Sequence, residues 1–265
     1  MMNSIVMKIK PLTPIWTGDS SRKCKTLRET GILGSLRWWY EAIVRGIGGE
    51  ACDPTDSKCE GKNHHCDACE LFGCTGWARK FRLESEQHDN NEITLRFIAL
   101  REIKAIEKIL LSKTFELIED YGALGGKMVS EKNGLIDIIS SDFNSKTLYI
   151  GEVGNYCKKR IKGISSPNLK YFFFVKNGLN RAKHLKSQCI FLKGKKECKD
   201  GRVISYSKTY FYKLIKDNSG KWQPYRLFGY VKNNDELNKV EEYFKEKELK
   251  IIKGSDIINK WLEAR

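Results

Sequence analysis

Five of the nine cysteines and two of the four histidines fall between Cys52 and Cys74, within 23 residues. Cys66 and Cys69, with two residues between them, put two thiolates on one tight turn where both can reach one tetrahedral ion. The other two ligands must come from Cys52, Cys59, Cys74, His64 or His65. Cys52 and Cys59 are assigned here, because they lie in a polar loop with no other means of staying folded. Zinc suits this set. A redox dithiol, or free thiols lying near one another, are the competing readings. A catalytic zinc needs an open coordination position and a general base. Neither His-x-Glu nor His-Glu-x-x-His occurs, so the site reads as structural.

A second group of residues suits phosphate and bases. Arg28 and Arg37 flank the turn before a long helix, where backbone N–H groups and arginine forks can hold an anion. The alternative for Arg37 is an ion pair with Glu41. Gly125 and Gly126, followed by Lys127, form a turn whose N–H groups and close approach suit a phosphodiester backbone; a plain helix-ending turn explains them equally. Trp38 and Trp16 could stack on a base or pack in the core. Lys158, Lys159 and Arg160 open a basic stretch. His184 is a lone candidate acid or base for RNA cleavage, with no partner indicated.

The elements that position these groups read as follows. Residues 5–12 predict a strand ending before Pro14. Residues 34–46 predict a helix with Ser35 as N-cap, Leu36, Trp39, Tyr40, Ile43 and Ile47 as its buried stripe, and Arg37, Glu41 and Arg45 as a charged row. Strands follow at 77–83 and 92–99, then a helix over 103–121. The order strand, helix, strand, strand, helix is the front of a ferredoxin-like βαββαβ unit. Its last strand is either 135–139 or 147–153. Further strands are expected at 171–175, 189–192, 209–215 and 225–231, and helices at 237–248 and 255–264, the last capped by Ser255. The fold class is therefore α+β, with a first domain over 1–155 interrupted by the cysteine-rich insertion 50–75. Residues 156–265 are a second, reduced unit or an elaboration of the first.

The 265-residue chain carries a formal net charge of +15. The stretch 151–200 alone holds 13 Lys and Arg against three acidic residues. A polyanion is the natural partner of such a surface, although a lysine-rich surface also serves solubility. No apolar run is long enough to span a membrane. The odd cysteine count, with no secretory pattern, points to a reducing, cytoplasmic setting.

The chain resembles the Cmr1 family of RAMP-superfamily subunits of type III-B CRISPR effector complexes. The resemblance is carried by Leu12-Thr-Pro-Ile-Trp-Thr-Gly18, by residues 27–46, by Cys66-Asp-Ala-Cys-Glu-Leu-Phe-Gly-Cys74 continuing to Phe81, and by Gly122-Ala-Leu-Gly-Gly-Lys127. It covers about residues 5–130. It implies a modified ferredoxin-like fold in two RRM-like units. It also implies a non-catalytic subunit near the 3′ end of the CRISPR RNA that helps capture the target RNA, with CRISPR RNA, target RNA and other effector subunits as partners. The functional expectation is an RNA-binding subunit with a zinc ion on Cys52, Cys59, Cys66 and Cys69. Its RNA contacts are expected at Arg28, Arg37, Trp38, Gly125, Gly126, Lys127, Lys158, Lys159 and Arg160. The alternatives are a metal-independent endoribonuclease that processes guide RNA, and a scaffold that binds only protein.

Overall fold

Alternating burial along β1 (Ser4–Pro11) places Met7 and Ile9 inside and Lys8 and Lys10 outside, the period of a strand with one wet face. This strand is the centre of the first sheet. A computed structural model describes residues 4–18, 26–52, 59, 65–126, 130–143, 148–157, 167–176, 193–197, 203–208 and 210–263. After β1 come α1 (Glu29–Gly46), α2 (Asp67–Phe72), β2 (Phe81–Gln87), β3 (Ile93–Ala99), α3 (Ala105–Asp120) and β4 (Ile136–Ser141). The sheet order is β2-β3-β1-β4, with all neighbours antiparallel. That is the arrangement of a βαββαβ ferredoxin-like unit. Of the two candidates for its last strand, the one before Ser141 pairs with β1. The later segment forms a two-residue strand, β5 (Leu148–Tyr149), and a helix, α4 (Ile150–Tyr156).

The second half repeats the pattern. A 3-10 turn at Leu169–Tyr171 leads into β6 (Phe172–Val175). β7 (Lys193–Glu197) and β8 (Val203–Lys208) pair as a separate hairpin. Then follow β9 (Tyr210–Lys216), β10 (Trp222–Tyr230), α5 (Asn234–Glu246), β11 (Ile252–Lys253), α6 (Gly254–Trp261) and β12 (Leu262–Glu263). The second sheet runs β11-β6-β10-β9, the same last-first-third-second order as the first. Pro224 sits where the β9–β10 register shifts, the position at which a sheet tolerates a residue without an N–H. The strand expected at 189–192 lies outside the described residues.

Helix α1 joins the two sheets. It starts at Glu29, five residues earlier than the hydrophobic stripe suggests, with Arg28 as its N-cap. Ser35 is therefore inside the helix and not its cap. From Trp39 to Gly46 every residue is buried. Trp39 donates its indole N–H to the Ala123 carbonyl at 2.9 Å. Its ring packs on Phe172 and Phe228 of the second sheet, with centroids at 5.7 and 5.3 Å. One continuous core runs from Met7 and Phe97 through α1 to Phe172, Phe228 and Ile258. α6 likewise begins one residue before its expected cap, with Lys253 as N-cap in place of Ser255.

Two cations are buried side by side across the β9–β10 register, Lys213 opposite Arg226. Arg226 donates to the carbonyls of Ile118, Glu119 and Gly122 and so closes the end of α3. Lys213 donates to the carbonyls of Ser130 and Asn133, at 2.8 and 2.9 Å. Burial, with Arg226 adding to it, lowers the Lys213 ammonium to about 7 from an ordinary 10.5. Between those values the unfolded chain binds more protons than the folded one, so Lys213 makes folding more favourable as pH rises. Urea denaturation should show wild type gaining stability relative to Lys213→Met between about pH 7 and about pH 10, by at most about 1.4 kcal/mol per unit.

Candidate metal centre and nucleic-acid surface

The turn that ends α1 delivers the first ligand. Gly48, at φ +92°, reverses the chain, and the Gly49 N–H returns to the Val44 carbonyl at 2.8 Å. Two buried residues later the chain reaches Cys52. Cys66 is the N-cap of α2 and accepts the Cys69 N–H at 3.4 Å. The two thiols of the Cys-x-x-Cys turn thus sit over the first turn of a helix. The Cys66 N–H donates to Cys59 Sγ at 3.2 Å, and the Cys52 N–H to Cys66 Sγ at 3.3 Å.

The outcome is a cluster in which the Sγ atoms of Cys52, Cys59, Cys66 and Cys69 all lie within 4.8 Å of one another. Cys52 and Cys69 approach to 3.4 Å without a disulfide. Four sulfurs bound at about 2.3 Å to one tetrahedral ion stand about 3.8 Å apart, so the cluster fits one such ion with little adjustment. Hydrogen bonds with Cys66 and Cys69 lower the Cys52 thiol to about 4, and hydrogen bonds with Cys52 and Cys66 raise that of Cys69. These are the four cysteines named from the sequence. His65 lies elsewhere: it is bonded to Glu70 and stacked on Trp77 at 4.4 Å. Cys74 forms an isolated bridge with Trp77. His64 lies outside the described residues.

Arg37 belongs to this cluster. Its Nη2 donates to Cys69 Sγ at 3.1 Å and approaches Cys52 Sγ at 3.8 Å. Its Nη1 donates to the Gly73 carbonyl at 2.8 Å, and its Nε pairs with Glu41 at 2.7 Å. Glu41 also faces Arg45 at 3.7 Å, which completes the i,i+4 row. Arg45 in turn donates to the carbonyls of Ala51, Cys52 and Pro167. Burial raises the Glu41 carboxyl against the pull of both arginines. Below the cluster, buried Lys80 bridges Glu70 of α2 and Glu107 of α3, each at 2.9 Å.

The expected phosphate and base contacts are scattered. Arg28 is exposed beside the start of α1. Trp38 is half-buried, edge-on to Trp39, Phe172, Phe211 and Tyr230 with centroids 4.8–6.3 Å away. The glycine turn approaches the protein itself. Gly125, at φ +111°, donates its N–H to Ser35 Oγ at 2.9 Å, and Gly126 donates to the Trp16 carbonyl at 2.9 Å. A Cβ on Gly125 would lie 2.7 Å from the Trp16 oxygen. The backbone that these glycines approach closely is the chain's own, at Trp16, and the expectation that their N–H groups are free for a phosphate is corrected. Lys127, Lys158, Lys159, Arg160 and His184 lie outside the described residues.

Two further surfaces carry charged side chains. The open face of the first sheet carries Lys8, Arg82, Glu84, Glu86 and Arg96, with Arg82–Glu84 and Arg96–Glu86 paired at 2.6 and 2.8 Å. Its one described ring, the His88 imidazole, is hydrogen-bonded to Thr94 Oγ1 at 2.8 Å, and no Phe, Tyr or Trp stands among its described residues. A cleft of about 580 Å³ beside the cluster is lined by His65, Asp67, Glu70, Lys104, Glu152 and Tyr156; its three carboxylates repel phosphate.

Removing the Arg37 guanidinium should leave Glu41 and the sulfurs short of a donor. Arg37→Ala should lower stability by about 1–3 kcal/mol in urea denaturation. Arg37→Lys should restore little, because one ammonium cannot replace a fork that serves three partners.

No curated protein matches the chain. Among solved structures, a chain of the cryo-EM structure of the Type III-B Cmr-beta bound to cognate target RNA aligns with a TM-score of 0.52 at 12% identity, covering 93% of this chain and 100% of that one. A chain of the crystal structure of the Csm3-Csm4 subcomplex in the type III-A CRISPR-Cas interference complex aligns with a TM-score of 0.34 at 14% identity, covering 53% of this chain and 78% of that one. The first shares the fold. The family model described as the RAMP superfamily matches residues 8–261, and the chain belongs to that superfamily.

Proposed function

We propose that the chain is a non-catalytic, RNA-binding subunit of a type III-B CRISPR ribonucleoprotein effector. In this reading it is Cmr1-like: it helps capture target RNA near the 3′ end of the CRISPR RNA and contacts other effector subunits. The observation that carries the proposal is the RAMP-superfamily match over nearly the whole length. It is supported by a fold shared, end to end, with a chain of a target-bound Cmr-beta complex. The net charge of +15 suits an RNA partner. Arg28, Lys127, Lys158, Lys159 and Arg160 are the phosphate contacts of this reading. Arg37 is assigned to the cysteine cluster and Trp38 to the aromatic core. Both described histidines are engaged, His65 with Glu70 and His88 with Thr94 Oγ1 at 2.8 Å.

Cys52, Cys59, Cys66 and Cys69 would hold a structural zinc ion. Four thiolates fill a tetrahedral shell, so the ion supplies a cross-link and not an activated water. No helix among the described residues is long and apolar enough to cross a membrane.

The purified chain should contain one zinc per molecule by mass spectrometry of its metals. Cys69→Ser should lose it and Cys74→Ser should keep it. The chain should bind single-stranded RNA without cutting it, and log K should fall against log salt by about 0.7 for each phosphate held. A discrete cleavage product would overturn the non-catalytic assignment and make His184 the first residue to replace.

A further inference from the structure

Trp222 opens β10 at the end of the β9–β10 hairpin, and its indole is half-buried. Two ammonium groups reach the ring from separate segments. Lys132 Nζ stands 5.1 Å from its centroid and Lys216 Nζ 5.4 Å. Both lysines, and Lys221 next in the chain to Trp222, are exposed.

The support beneath these side chains is firm. At the hairpin tip the Asp217 carboxylate accepts the Ser219 N–H and hydroxyl, the Lys221 N–H and the Gln223 amide, at 2.7–3.0 Å. Its negative charge is thereby committed to the turn. The segment bearing Lys132 is clamped to the same hairpin: the Leu214 N–H donates to the Glu131 carbonyl at 2.8 Å, and Lys213 donates to the carbonyls of Ser130 and Asn133. Glu131, the other nearby acid, is half-buried and acts on Tyr212 and Lys213. An accessible indole ringed by cations on fixed backbone is a stacking platform with phosphate donors at its edge.

We propose that Trp222, Lys132 and Lys216 form a binding site for one nucleotide of single-stranded RNA. The base stacks on the indole, and the two ammonium groups move from the ring to the adjoining phosphates. An exposed lysine on an aromatic face is held weakly, whereas a base on the same face is held more strongly and the released ammonium gains a full anion. The inference rests on the RNA-binding reading above and locates a contact within it.

The test uses the full chain and a fluorescein-labelled single-stranded RNA, read by anisotropy over a salt series. Trp222→Ala should weaken binding about tenfold or more with the salt slope unchanged, while Trp222→Phe keeps most of the affinity. Lys132→Gln with Lys216→Gln should make the slope shallower by about 1.4, the contribution of two phosphates. Wild-type affinity in Trp222→Ala, or an unchanged slope in the lysine pair, overturns this site and leaves the RNA-binding reading standing. Absence of binding by the wild-type chain overturns that reading and the site together.

Discussion

A helix enclosed on every side must find internal partners for each charge it carries, and α1 is such a helix from Trp39 onward. Glu41 and Arg45 are buried there, where an unpaired charge is far more costly than an exposed one. Their solution organises the molecule. Arg45 spends its guanidinium on the carbonyls of Ala51, Cys52 and Pro167, which draws the cysteine loop and the entry to the second sheet onto one side chain. Arg37 extends the same row to the sulfurs. The opposite side of the helix is apolar and aromatic, with Trp39 against Phe172 and Phe228. The two ferredoxin-like sheets thus share a helix, and the cysteine cluster shares that helix's charges.

This arrangement also explains why the cluster has its form. The six residues of α2 are too few to be stable as a helix alone. It is held by Lys80 between Glu70 and Glu107 on one side and by the cysteines on the other. Arg37 places a guanidinium against two of the clustered sulfurs, a counter-charge for the tetrathiolate centre proposed above. Arg37, which in the sequence reads as a phosphate ligand or as a partner of Glu41, is in the fold bonded to Glu41 and to Cys69 Sγ.

Much of this was legible in the residues. The Cys-x-x-Cys spacing and the polar loop before it picked out the four clustered sulfurs. The spacing of Arg37, Glu41 and Arg45 announced their row. The alternation of Ile93, Leu95 and Phe97 placed β3, and the strand–helix–strand–strand–helix order announced the first sheet. The failures have physical causes. α1 begins early because Glu29 to Leu33 are recruited by tertiary packing, with Gly31 against Thr17, which periodicity within one helix does not register. The free N–H groups expected at Gly125 and Gly126 were absorbed by Ser35 and Trp16, ninety or more residues away. Lys213 and Arg226 gave no warning, because their partners are backbone carbonyls that carry no sequence signature. Trp222 passed unnoticed for a similar reason: Lys132 lies far from it in the chain and meets it only through the clamp on the hairpin.

The shared helix has a consequence for how the protein is made. Synthesis delivers the first sheet complete once Ser141 has emerged, yet the aromatic side of α1 is not covered until β6 and β10 follow, the latter ending at Tyr230. For the time needed to translate that interval, of the order of several seconds, Trp38 and Trp39 present an uncovered apolar surface on an otherwise assembled unit. The nascent chain is therefore most exposed to aggregation midway through its synthesis, after the first sheet is in place and before the second is. A ribosome pause within the second half would be more harmful than one within the first.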